Sequence, residues 1–134
     1  MESIFSISFQ GNKKVSASFR DFTVNTDQPI TGGGDNTAPT PFELFLASIG
    51  TCAGFYIASF CQSRSISTDN IKIIQTVFRD EKTHMVDKID LDIILPPNFP
   101  DKYKDAVIKA ADTCTVKKHL FAPPEIKIST KIIE

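Results

Sequence analysis

The chain has 134 residues, 41% hydrophobic and 23% charged, the composition of one ordinary globular domain that can bury a core without disulfide staples. Fifteen Lys and Arg against sixteen Asp and Glu leave a formal charge of −1, so there is no basic footprint for nucleic acid. Three cysteines, behind an N-terminus with neither a basic stretch nor a long apolar run, point to a reducing cytoplasm, where thiols serve redox or metal chemistry more often than structural disulfides.

Phe5, Ile7 and Phe9 alternate with polar residues, the period of a half-buried strand, and Gly11-Asn12-Lys13 turns the chain. Val15, Ala17 and Phe19 resume the alternation as a hairpin, which Phe22 and Val24 extend until Gln28-Pro29 breaks it. Gly32-Gly33-Gly34-Asp35-Asn36 reads as a flexible loop; it lacks the lysine and spacing of a phosphate loop. A helix opens next, with Thr40 as N-cap, Pro41 at the first helical position and Glu43 completing a capping box, and it runs to about Arg64. Two strands follow over 71–78 and 88–95, the second alternating Ile89, Leu91, Ile93 and Leu95 before Pro96-Pro97 ends it. An amphipathic helix spans 101–111, with Tyr103 and Val107 on one face, and a short helix spans 116–121. Beyond Pro123-Pro124, the alternation of Ile126, Ile128, Thr130 and Ile132 predicts a closing strand. The order β-β-α-β-β-α-α-β predicts an α+β fold with antiparallel sheets, a single domain over 1–134.

From Leu44 to Cys61 no side chain is charged. A helix of that length reaches ~27 Å, close to the thickness of a bilayer core. Ser48, Gly50, Thr51, Cys52 and Gly54 dilute the run, however, and amphipathic strands lie on both sides of it, so it reads as a central helix buried on all faces and not as a membrane span. Gly50 and Gly54 would let another backbone approach closely. So short a chain has few segments to cover such a helix, and a homodimer with this helix at its interface is expected.

Cys52 and Cys61 fall on opposite faces of the helix and cannot share a site there. Cys61 reads as core filler. Cys114 lies at an apparent helix start, where the helix terminus and Lys117 would stabilise a thiolate. Its chemistry alone leaves a reactive and an inert thiol both open. His84 and His119 sit in no metal-ligand spacing, so no metal is expected, and Asp87, Asp90 and Asp92 read as the wet face of a strand.

The segment GGGDNTAPTPFELFLASIGTC, ending at Cys52, and the later Cys114-Thr115-Val116 together resemble the OsmC/Ohr family, named for osmotically inducible protein C and organic hydroperoxide resistance protein. Chain length and element order agree with it across nearly the whole sequence. The resemblance implies an OsmC-like α+β fold, an intertwined homodimer with a long central apolar helix, and active sites at the subunit interface. It makes Cys52 the thiol that attacks an organic hydroperoxide, alkyl or lipid, and Cys114 the thiol that resolves the resulting sulfenic acid into a disulfide. An external dithiol reduces that disulfide, and no metal, haem or flavin is required. Phe42, Phe45 and Phe55 are the expected walls of an apolar substrate pocket. In the family's peroxidases a glutamate stands ten residues before the first cysteine and positions an arginine; here Phe42 holds that place. Glu43 is one step closer, about 100° around the helix, and capping accounts for it better than catalysis. Arg20, beside the N-terminal hairpin, is the first candidate for the arginine, and a solvated strand-end charge is its plain alternative. Thr115 replaces a proline common after the second cysteine. Two other functions stay in view: an OsmC-like dimer that binds a small apolar or electrophilic ligand without peroxidase chemistry, and a thiol–disulfide exchange protein.

Overall fold

The structure is a computed structural model that describes residues 1–133, and the chain divides into two compact units, Met1–Ala47 and the segment from Ser48 onward. In the first, β1 (Ser6–Phe9), β2 (Val15–Phe19) and β3 (Phe22–Thr26) form an antiparallel sheet in that order. The register sets Ser8 against Ser16 and Ser16 against Asn25, and it sets Ile7 against Ala17 and Ala17 against Val24, so one face is hydroxyl-rich and the other apolar. Phe22 and Val24 do not extend the second strand, as the alternation had implied. Phe19 pairs with Phe22 around a two-residue turn in which Arg20 takes φ +50°. A period-2 pattern runs unchanged through such a reversal, so alternation alone cannot reveal it.

The glycine-rich loop is ordered by Asp27. Its buried carboxylate accepts the Gln28 N–H at 2.8 Å, the Thr37 N–H at 3.0 Å and the Thr37 hydroxyl at 2.6 Å. The Thr37 hydroxyl first, and the backbone donors with it, hold that carboxyl far below the usual carboxylate range. At Gly34 an added Cβ would lie 2.1 Å from the Gln28 carbonyl oxygen, so only glycine fits.

Helix α1 (Pro41–Gln62) begins with the predicted capping box: the Glu43 N–H donates to Thr40 Oγ1 at 3.1 Å, and the Thr40 N–H donates to Glu43 Oε1 at 2.9 Å. Among the described residues it is the one helix long and apolar enough, by length and composition, to cross a membrane.

In the second unit, β4 (Lys72–Arg79) and β5 (Val86–Ile94) form an antiparallel pair, followed by α2 (Lys104–Asp112) and α3 (Thr115–Phe121). Ile57 and Cys61 from α1 meet Phe99 and Val107 in the core, with Ile73, Ile93, Leu95 and Tyr103 around them. Burying a side chain such as Val107 contributes roughly 2 kcal/mol. The glycine notch on α1 faces β4: a Cβ on Gly50 would meet the Gln75 side chain at 2.5 Å, and one on Gly54 would meet Ile73. A strand's side chains fill the notch where a second backbone had been expected.

Two expectations fail within one chain. Helix α1 is not buried on all faces: Ile49, Ala53, Ile57 and Cys61 are covered, but Phe55 is 62% exposed. The β4–β5 hairpin, α2 and the start of α3 lie against it and leave Phe55 uncovered. The closing strand is also absent among the described residues, where Ile126, Ile128 and Ile132 are 82%, 91% and 93% exposed. An alternating segment becomes a strand only when a ladder accepts its backbone groups.

Candidate functional site

Cys52 lies mid-way along α1, one turn beyond Ile49. Cys114 is the N-cap of α3, so its sulfur is held where the short loop after α2 turns back into helix. The Cys114 Sγ accepts the Lys117 N–H at 3.5 Å and lies 3.9 Å from the Ile49 carbonyl. This docks the start of α3 on the middle of α1 and brings the two thiols into hydrogen-bond contact. All three cysteines are free thiols.

The two sulfurs are not equivalent. Burial acts on Cys52 to raise its pKa, but the Val116 N–H, the Cys114 thiol and the Thr115 N–H and hydroxyl all donate to it, and the balance falls below the ordinary thiol value. Cys114 is 2% exposed, and burial first, then the neighbouring Cys52 sulfur, push its pKa up. The helix start alone had left a reactive and an inert Cys114 both open; here burial outweighs it and the thiol is pushed up. The amides at the start of α3 point at Cys52, the half-buried sulfur across from them, while Lys117 is paired with Asp112. The site therefore pairs a half-buried Cys52 whose pKa is lowered with a covered Cys114 whose pKa is raised. Cys61 is fully buried and its thiol is pushed up by burial, as core filler requires.

The other sequence candidates have contacts of their own. Glu43 closes the capping box. Arg20 occupies the β2–β3 turn, its guanidinium 4.7 Å above the Phe22 ring. Phe42 and Phe45 stack on each other at 5.6 Å and are exposed, and Phe55 meets Tyr56 edge-on at 5.1 Å. The cavity at Cys114 has other walls, and Cys52 is not among them. It measures about 570 Å³, is floored by Ile49, Leu91, Val107, Ile108 and Ala111, and reaches Cys114, with Lys104 and Lys117 at its edge. Sequence reasoning missed Tyr56, whose Oη lies 2.8 Å from Thr115 Oγ1, and it read Thr115 only as a lost proline. The one available signal was spacing: Tyr56 stands one helical turn after Cys52, on the same side. Among the described residues, no group of three or more His, Cys, Asp or Glu side chains is placed to hold a metal ion.

With this geometry in hand, comparison with known proteins is informative. A family model for OsmC-like protein matches residues 33–129, which include both thiols. No curated protein matches the sequence. Among solved structures, the chain is similar to a Psychrobacter arcticus 273-4 protein named for osmotic stress induction and detoxification response, with TM-score 0.74, 22% identity, and 88% of this chain and 87% of that one covered. It is similar to an OsmC-like protein of Mycoplasma pneumoniae, with TM-score 0.69, 14% identity and coverage of 92% and 89%. A third is a Legionella pneumophila protein named as an organic hydroperoxide resistance protein OsmC, with TM-score 0.56, 17% identity and coverage of 90% and 89%. At these identities the likeness shows the fold.

Proposed function

Since the chain belongs to the OsmC/Ohr family and therefore has an OsmC-like α+β fold, we propose that it is a thiol-dependent peroxidase that reduces organic hydroperoxides, alkyl or lipid, to alcohols. The observation that carries this reading is the thiol pair itself, a half-buried Cys52 on α1 and a covered Cys114 at the start of α3 docked on that helix, with the first thiol's pKa lowered and the second's raised. The Cys52 thiolate attacks the terminal, proton-bearing oxygen of the hydroperoxide and the O–O bond breaks. The alkoxide takes a proton from water and leaves as the alcohol, and Cys52 becomes a sulfenic acid. The Cys114 thiol condenses with it, releasing water and forming a disulfide, and an external dithiol returns both thiols while it is itself oxidised to a disulfide. The chemistry needs no metal, haem or flavin. The half-buried position of Cys52 leaves it open to substrate, and the covered position of Cys114 suits the second step.

The reading includes a homodimer in a reducing cytoplasm, without nucleic acid or membrane as partners. In its favour, Phe42, Phe45 and Phe55 are exposed apolar side chains on α1 that a second copy would cover, turning them into walls of a substrate pocket. The exposed isoleucines of the C-terminal segment have strand periodicity and would find a ladder on a partner.

The test is consumption of cumene hydroperoxide by the purified protein in dithiothreitol. Wild type turns over, Cys52→Ser consumes none, and Cys114→Ser makes a first equivalent of alcohol and then recycles poorly. Wild type that leaves the hydroperoxide intact, while its Cys52 alkylates as a thiolate, overturns the proposal. Phe42, at the family's glutamate position, favours a second reading in which the dimer only binds a small apolar or electrophilic ligand; a ligand that copurifies with an inactive protein would support that. Reduction of insulin disulfides would instead mark a thiol–disulfide exchange protein.

A further inference from the structure

Two consecutive residues fasten the start of α3 to α1, one on either side of Cys52. Cys114 Sγ lies 3.9 Å from the Ile49 carbonyl, and Thr115 Oγ1 lies 2.8 Å from Tyr56 Oη. Ile49 stands three residues before Cys52 and Tyr56 four residues after it, the spacing of neighbours along one side of a helix. The anchor points are thus ~10.5 Å apart along the axis, with Cys52 between them. The two anchors differ in kind. A sulfur 3.9 Å from a carbonyl is held weakly, and Cys114 has to leave that contact when its sulfur bonds elsewhere. The hydroxyl pair has ordinary hydrogen-bond length and uses neither sulfur, so it can persist while Cys114 turns from Ile49 to Cys52. Tyr56 is half-buried, and the edge-on contact with Phe55 at 5.1 Å restrains its ring.

Building on the reading of Cys52 and Cys114 as a pair that closes to a disulfide, we propose that Tyr56 is a positioning residue for the resolving thiol. Its hydroxyl bond to Thr115 keeps the start of α3 against α1, and so keeps Cys114 in reach of Cys52 while the disulfide closes. Tyr56 acts on Cys114 through Thr115 and the backbone that joins them. A sulfur held in reach reacts as an intramolecular partner, and its effective concentration falls when the segment that carries it swings free.

The experiment times disulfide closure in the full-length reduced protein with glutathione disulfide as oxidant. In the first step the Cys52 thiolate attacks one glutathione sulfur, the glutathione S–S bond breaks, and one glutathione thiolate leaves. In the second, the Cys114 sulfur attacks the Cys52 sulfur of that mixed disulfide, and the Cys114 proton goes to the second glutathione, which leaves as a thiol. Acid quenching and mass spectrometry of the intact protein and of its Cys52 peptide follow each step. Thr115 is exposed, so water competes for the bond and its worth lies at the low end of the usual range. Tyr56→Phe is therefore expected to slow the second step about threefold and to leave the first at the wild-type rate. Thr115→Val slows the second step equally, and Thr115→Ser restores it. Tyr56→Phe combined with Thr115→Val is no slower than either alone, because both remove one bond. A Tyr56→Phe second step at the wild-type rate overturns the proposal. So does a change of both steps by one factor, which a general loosening of the helix would give, a double variant whose losses multiply, or a wild-type mixed disulfide that never closes. If Tyr56→Phe does not fold by circular dichroism, Thr115→Val against Thr115→Ser decides: equal closure rates overturn it. Glutathione disulfide has no O–O bond. Failure of the peroxidase reading thus appears as absent hydroperoxide consumption with the closure pattern intact, and failure of the positioning role appears as hydroperoxide turnover with closure unchanged in the variants.

Discussion

Glu43 offers the sharpest separation between a structural and a chemical role. Its side chain accepts the Thr40 N–H at 2.9 Å while its own N–H donates to Thr40 Oγ1 at 3.1 Å, so two of the helix-start donors are satisfied reciprocally. Thr40→Ala removes a side-chain acceptor and costs about 1 kcal/mol. In a chain of 134 residues that lowers Tm by roughly 3–5 °C. Glu43→Ala removes the return bond at an exposed site and costs about 0.5 kcal/mol. Glu43→Gln keeps an oxygen that can accept the Thr40 N–H, so its Tm stays within about 2 °C of wild type. The assay pairs thermal denaturation followed by far-UV circular dichroism with hydroperoxide consumption on the same samples. All three variants should retain turnover at a temperature well below their Tm. A Glu43→Gln protein of wild-type Tm that loses turnover by about a hundredfold, the scale of a lost acid–base group, would refute this reasoning and return the carboxylate to the reaction.

Other consequences follow from the same structure. As pH falls below the ordinary thiol range, Cys52 should still label, losing reactivity only through its lowered pKa; Cys114 should label next and Cys61 last, and peptide mapping after timed alkylation checks the order. In linkage terms, the lowered Cys52 adds stability above its unfolded pKa that is lost as pH falls through the folded value. The raised Cys114 adds stability below its unfolded pKa that is lost as pH rises through the folded value. Ile57→Ala opens a hole in the core beside Phe99 and Val107 and should cost about 3 kcal/mol, measured by urea denaturation with an unchanged m-value. Gly34→Ala drives a Cβ into the Gln28 carbonyl and should cost at least about 2 kcal/mol, whereas Gly11→Ala meets nothing within 4 Å and pays only for its φ of +97°, about 1 kcal/mol.

Those features of the fold that depend on local chemistry were legible in the sequence. Thr40, Pro41 and Glu43 marked the start of α1 because capping uses groups within one turn of one another. Ile89, Leu91 and Ile93 marked β5 because a strand with one covered face must alternate. What did not show was anything set by a distant or absent neighbour. The β2–β3 turn at Arg20 lay inside a continuous alternation, and the C-terminal isoleucines carried strand periodicity without a ladder. Period-2 patterning reports which side a residue faces; it does not say where the chain reverses or which edge receives it.

The site divides along the same line. Cys52 and Cys114 were identifiable as residues, and the resemblance gave the attack to Cys52, but the direction in which each thiol is shifted was not legible, because it depends on which sulfur is covered and not on which one begins a helix. Cys114 begins α3, which argued for the thiolate there. As the N-cap it is covered, it accepts the Lys117 N–H, and burial pushes its thiol up. Docking of α3 at the Ile49 carbonyl then sets Tyr56 opposite the Thr115 hydroxyl. A proline at position 115 would have neither an N–H nor a hydroxyl to donate. The departure that seemed to loosen the match therefore leaves a hydroxyl that meets Tyr56 Oη at 2.8 Å where α3 docks on α1.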